Sequence, residues 1–107
     1  MASQNKQLCT PSSVDSITSS GGQEDHVSMG ANGATKCYQV VENLEKLLAI
    51  ELQSAAQGIQ FRKPLKTSAK LEVLLSEYRK QVPFAEEDRL FHLDLVKSIK
   101  FIQEYTL

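Results

Sequence analysis

The stretch GGQEDHVSMGANGATK, residues 21 to 36, sets Glu24, Asp25 and His26 side by side after a glycine pair. A carboxylate accepts hydrogen bonds from N–H donors and stabilises a neighbouring cation, while an imidazole exchanges protons near neutrality. Such a trio suits a binding or catalytic site. It equally suits a helix start, where acidic side chains complement the dipole. A second acidic run, Glu86-Glu87-Asp88, has no further oxygen ligands at divalent-metal spacing and reads as a solvated turn. Cys9 and Cys37 stand outside any metal-ligand spacing and read as reduced thiols.

The elements that must position these groups are helical. Residues 1 to 33 are rich in Ser, Gln, Thr, Gly and Asn and cannot fill a core alone, so they read as irregular. From Ala34 an apolar stripe begins: Ala34, Cys37, Val41, Leu44, Leu48, Leu52, Ala55 and Ile59 recur at steps of three and four. Val40, Leu47 and Ile50 widen it, which predicts more than one neighbour. The pattern predicts a helix over Met29–Gln57, with Gly58 as terminator and Pro64 forbidding continuation. A second helix follows Thr67 or Ser68 as N-cap, with Leu71, Leu74, Leu75, Tyr78 and Val82 inward and Pro83 as its stop. Neither cap candidate has Glu or Gln three residues on, so no capping box is expected. FAEEDRLFHL reads as a loop or broken turn. A last helix is expected over Asp94–Tyr105, with Leu95, Ile99 and Ile102 inward and Val96 and Phe101 beside them. No alternating strand pattern competes. The class is all-α, one long helix plus two shorter ones after an irregular segment, divided as 1–28 and 29–107.

With 12 basic and 13 acidic side chains the net charge is −1, and Lys and Arg are scattered, so no field favours nucleic acid or an acidic membrane. No apolar run is long enough for a signal peptide or a membrane span, and the expected compartment is the cytoplasm.

Length adds a constraint. Ala34 to Ile59 as helix measures roughly 39 Å, whereas a compact body of some 75 structured residues is only about 30 Å across. Two shorter helices cannot cover such a rod, and bare apolar surface costs about 25 cal/mol per Å². The stripe therefore predicts further helices, from another subunit or a longer parent chain. A non-enzymatic helical module that docks through the stripe remains a separate reading.

PSSVDSI, QEDHVSMG, ENLEKLLAIEL, AAQGIQFRKPLKTSAKLE and DRLFHLD run in an order that resembles the C-terminal end of the aromatic amino acid ammonia-lyase family, in particular its histidine-acting branch. The resemblance extends from Ala2 to about Phe101. It implies a C-terminal piece of a homotetrameric lyase whose long helix joins a central bundle. It also implies deamination of L-histidine to urocanate and ammonia, the first step of histidine degradation. The family's electrophile, 4-methylidene-imidazol-5-one (MIO), forms from an Ala-Ser-Gly triad, which this sequence does not contain; Ser19-Ser20-Gly21 is not that site. The family's tyrosine base and carboxylate-binding arginine also fall outside, so no catalytic set is complete and the piece alone is expected to be inactive.

What the resemblance leaves here is one wall of the pocket. Glu24 matches the glutamate that faces the substrate side chain or amine in histidine-acting members. Phenylalanine-acting relatives carry an Asn-Gln-Asp string there, whereas tyrosine-acting ones also carry the glutamate, so tyrosine stays an alternative substrate. Gln23 is expected to support Glu24 by hydrogen bonding, Asp25 to cap the long helix, and His26 to pack as a hydrogen-bonded ring. Asn5 and Lys6 match a Glu-Asn-Lys string in which Gln4 replaces the glutamate, and Thr10 stands where many relatives have His.

Overall fold

The computed structural model describes residues 1–15, 17–24 and 28–106. These form four α-helices, α1 (Ala2–Leu8), α2 (Gly30–Gln60), α3 (Ala69–Gln81) and α4 (His92–Glu104), with 3₁₀ turns at Ser12–Asp15 and Ser20–Gly22. The all-α class is as expected. Two compact units divide the chain, Met1–Leu44 and Glu45–Leu107, and α2 contributes its first part to one and the remainder to the other.

In the first unit the sequence under-reads the structure, because α1 forms within the stretch expected to be irregular. It has no buried residue, so no apolar stripe advertised it. Polar side chains hold it instead. Asn43 of α2, only 7% exposed, donates through Nδ2 to Gln4 Oε1 at 3.1 Å and to Asn5 Oδ1 at 2.8 Å. Further along, Lys36 Nζ donates to the Thr10 carbonyl at 2.8 Å. Position 5 thus meets 43 and position 10 meets 36, so the segment containing α1 runs antiparallel to the start of α2.

The long helix has 31 residues, about 46 Å at 1.5 Å per residue. It passes Gly58 and unwinds through successive i→i+3 bonds, Phe61 N–H to Gly58 and Arg62 N–H to Ile59. A helix-interior glycine costs only about 0.5–1 kcal/mol, too little to end a helix that packs further along. Along its stripe Val41, Leu44, Leu48 and Ile50 are exposed, as are Ala34, Cys37 and Ala55, while Leu52 and Ile59 are half-buried. The rod expected to outrun its companions is uncovered over most of its apolar positions.

The second unit has a small core of Ala56, Tyr78, Val82 and Phe101, flanked by Leu52, Leu74, Leu75 and Tyr105. Ser68 is the N-cap of α3, its Oγ accepting from Leu71 N–H at 3.4 Å. The reciprocal bond of a capping box is made one residue late, with Glu72 Oε1 accepting from Thr67 N–H at 2.9 Å. Along α3, Tyr78 and Val82 are buried as expected, whereas Leu71 is 46% exposed.

The inner face of α4 is a correction. Asp94, Ser98 and Phe101 are the buried residues, Leu95, Ile99 and Ile102 are half-buried, and Val96 is exposed. Buried polar groups are tolerated when their hydrogen bonds are made. Here Arg89 Nε donates to Asp94 Oδ2 at 2.9 Å and Arg89 Nη2 pairs with it at 2.8 Å. Ser98 Oγ donates back to the Asp94 carbonyl at 2.7 Å and stands 2.7 Å from the Tyr78 hydroxyl. With the single serine proton committed to that carbonyl, Tyr78 donates to Ser98. Phe101 meets Tyr78 edge-on at 5.3 Å and stacks on Tyr105 at 4.8 Å. The loop expected over residues 84–93 is present as far as Phe91, with His92 and Leu93 already in α4, and it is anchored where the Gln57 amide donates to the Ala85 carbonyl at 2.6 Å and accepts from Ala85 N–H at 3.3 Å.

Candidate functional site

The loop carrying Glu24 is closed on itself. Ser19 N–H donates to the Glu24 carbonyl at 2.7 Å, and Glu24 N–H returns to the Ser19 carbonyl at 3.3 Å, an isolated antiparallel bridge. Gly22 N–H also reaches the Ser19 carbonyl at 3.0 Å. Between the two ends the backbone reverses through three consecutive left-handed residues, Ser20 at φ 52°, Gly21 at 66° and Gly22 at 90°. The glycine pair adopts this without a Cβ penalty, while Ser20 stores strain on the order of 1 kcal/mol. The Ser19 hydroxyl then donates to Glu24 Oε2 at 3.3 Å, which orients the carboxylate.

A Cβ built at Gly21 meets nothing within 4 Å, so Gly21→Ala is penalised by backbone conformation alone. The expected cost is about 1 kcal/mol, seen as roughly fivefold faster hydrogen exchange at the Ser19 amide. No change in that rate would mean the left-handed turn is not what closes the loop.

This geometry separates the two sequence readings of Glu24. The first turn of α2 contains no acidic residue, and α2 begins six residues after Glu24. The side chain folds back onto Ser19 and does not serve the helix dipole. Glu24 and Gln23 are both exposed, so the carboxylate is presented outward from a closed loop. One of its lone-pair sites takes the Ser19 proton, and a carboxylate has capacity for several more donors. Asp25 and His26, expected as cap and packed ring, lie outside the described residues. Gln4 supplies an acceptor oxygen to Asn43 at 3.1 Å.

Sequence reasoning missed Ser19 as the partner of Glu24 and Asn43 as the anchor of α1. The signal for the first was legible in the Gly21-Gly22 pair flanked by hydrogen-bonding residues, a turn signature. Nothing in the periodicity marked Asn43. Glu86, Glu87 and Asp88 are all exposed, and no cluster of three potential metal ligands occurs among the described residues. Among those residues no helix is long and apolar enough to cross a membrane.

An all-helical chain that presents a carboxylate from a strained, self-closed loop ahead of a long helix is the setting in which the comparisons fall. Residues 1–80 match the family model described as aromatic amino acid lyase, and the chain belongs to that family. It is 48% identical over 107 residues to the histidine ammonia-lyase of Sorangium cellulosum, covering all of this chain and 21% of the relative. The crystal structure of histidine ammonia-lyase from Trypanosoma cruzi superposes with a TM-score of 0.89 at 46% identity, covering 94% of this chain and 20% of that one. An ergothioneine-degrading enzyme from Treponema denticola, ergothionase, superposes with a TM-score of 0.87 at 33% identity, again over 94% of this chain and 20% of that chain. The chain spans about a fifth of the length of the relatives it matches.

Proposed function

We propose that this chain is the C-terminal part of a cytoplasmic histidine ammonia-lyase, in which Glu24 forms one wall of the substrate pocket. The observation that carries the reading is the Ser19-closed loop, in which the Ser19 hydroxyl holds an exposed Glu24 carboxylate. The 46–48% identity to relatives named for histidine, against 33% to the ergothioneine-degrading one, favours L-histidine as substrate.

In this role Glu24 accepts a hydrogen bond from an imidazole N–H or from the substrate ammonium, and its charge stabilises the cation. An apolar ring in the same place would leave the carboxylate desolvated and unpaired, which is the basis of discrimination. Gln23, beside it in the loop, supports the carboxylate's surroundings. MIO supplies the electrophile of the family's chemistry. This chain has no Ala-Ser-Gly triad, and its nearest string, Ser19-Ser20-Gly21, is committed to the left-handed turn, so none of its residues forms that group. The exposed positions Val41, Leu44, Leu48 and Ile50 of α2 are the surface through which the remainder of the lyase, and the other subunits of a homotetramer, cover the helix.

The test is to co-express the chain with the missing portion of the lyase and assay a panel of L-histidine, L-tyrosine and ergothioneine. Urocanate formation from histidine by the complex, with none from the chain alone, is the expected result. An assembled complex with MIO formed that yields no urocanate sinks the reading.

A further inference from the structure

We infer that Ser19 is the positioning residue of Glu24, its hydroxyl holding carboxylate oxygen Oε2 and leaving Oε1 to accept from the substrate. The inference rests on the reading of Glu24 as a wall of the pocket. Its geometry comes from the loop. Ser19 N–H donates to the Glu24 carbonyl at 2.7 Å, and Glu24 N–H returns to the Ser19 carbonyl at 3.3 Å. Two residues that exchange both backbone bonds stand directly opposite in an antiparallel pair, and their side chains leave the same face about 4.5–5.5 Å apart at Cβ. The backbone thus brings hydroxyl and carboxylate together, with Ser19 Oγ 3.3 Å from Glu24 Oε2.

Holding matters because glutamate is a long side chain that loses much rotamer freedom when it is ordered. Glu24 is exposed, and among the described residues its carboxylate has no hydrogen bond or ion pair besides the one to Ser19. Ser19 is half-buried and has a single heavy-atom torsion, so it is the more rigid of the two. Ordering the carboxylate before the substrate arrives removes that cost from binding. The contact is longer than the usual O–H···O⁻ separation of about 2.5–2.7 Å, which places its contribution with ordinary hydrogen bonds and not with the strongest charge-assisted ones.

Removing the hydroxyl leaves the loop closed. Backbone atoms make the bridge, and Ser20, Gly21 and Gly22 make the reversal in left-handed conformations. Neither device uses the Ser19 side chain. Ser19 itself is extended, with φ −130° and ψ 178°, a conformation that suits β-branched residues. Threonine there keeps a hydroxyl on the same backbone, and alanine removes it. These two substitutions separate positioning from folding.

The experiment uses the assembled lyase with MIO formed, and reads kcat and KM for L-histidine beside hydrogen exchange at the Ser19 amide. Ser19→Ala is expected to lower kcat/KM by about three- to tenfold, with exchange at that amide unchanged. Ser19→Thr is expected to stay near the parent. In a Glu24→Ala background, Ser19→Ala should make no further difference beyond about twofold, because its effect passes through the carboxylate. An undiminished loss in that background overturns the inference. So does parent-like activity of Ser19→Ala, an equal loss in Ser19→Thr, or faster exchange at the Ser19 amide that tracks the lost activity. A loss with Glu24→Ala but none with Ser19→Ala leaves the pocket reading standing and removes Ser19 alone. Full activity of Glu24→Ala removes both.

Discussion

Glu24→Ala in the assembled lyase is expected to lower kcat/KM for L-histidine by about ten- to a hundredfold, the range that follows from losing a hydrogen bond to a charged group. Glu24→Gln is expected to lose far less, because the amide oxygen still accepts from an imidazole N–H and from the Ser19 hydroxyl that now meets Oε2 at 3.3 Å. Ordering the two variants matters more than either alone. The loop's closure depends on backbone bonds between Ser19 and Glu24, which both substitutions retain, so a merely structural role predicts nearly equal effects. Equal activity of both variants and the parent would remove Glu24 from the pocket.

Tyr78→Ala is expected to cost the Glu45–Leu107 unit about 3–5 kcal/mol, the range for deleting a large buried aromatic. Tyr78 is fully buried, contacts Phe101 edge-on, and is one of four residues in the core cluster. Folded proteins have only about 5–15 kcal/mol in hand, so denaturant titration should show the unit largely or wholly unfolded. Tyr78→Phe keeps the ring and loses only the bond to Ser98, whose own proton still reaches the Asp94 carbonyl. Its expected cost is about 1 kcal/mol.

The pair also differs in alkali. Burial is the main cause that raises the Tyr78 hydroxyl above its ordinary value of 10.0, offset in part by the Arg79 charge. The unfolded chain therefore releases this proton first, and the folded state holds more protons above pH 10. Stability falls with rising pH under that condition. The parent should lose stability as pH climbs past the unfolded tyrosine value, and Tyr78→Phe should lose less over the same window. Identical alkaline profiles would mean that the hydroxyl is not shielded by the core.

Much of this was legible because helical burial leaves a periodic trace. The stripe from Ala34 to Ile59, the Ser68 cap and the stops near Pro64 and Pro83 located α2 and α3, and the spacing of Leu95, Ile99 and Ile102 located α4. The mismatch between rod and companions was also readable, and Val41, Leu44 and Leu48 are exposed accordingly. Periodicity fails where polar contacts hold an element. It gave no hint of α1, which buries nothing and is tethered through Asn43. It also favoured Leu95, Ile99 and Ile102 over Asp94 and Ser98, because hydropathy cannot anticipate that Arg89 and Tyr78 satisfy those polar groups.

The candidate site divides along the same line. Residue types alone nominated Glu24 and Gln23, and the order of several short strings pointed to the family. Whether the acid served a helix start or faced a ligand was open, since both readings use the same carboxylate at nearly the same place. The backbone removes the helix-start reading: three left-handed residues turn the chain back so that Glu24 meets Ser19 and not the first turn of α2. Helical class, helix positions and the want of covering partners are local or additive properties, set by spacing and apolar area. Which polar side chains meet, and which way a loop turns, depend on partners distant in sequence and on single φ angles, and only the folded chain specifies those.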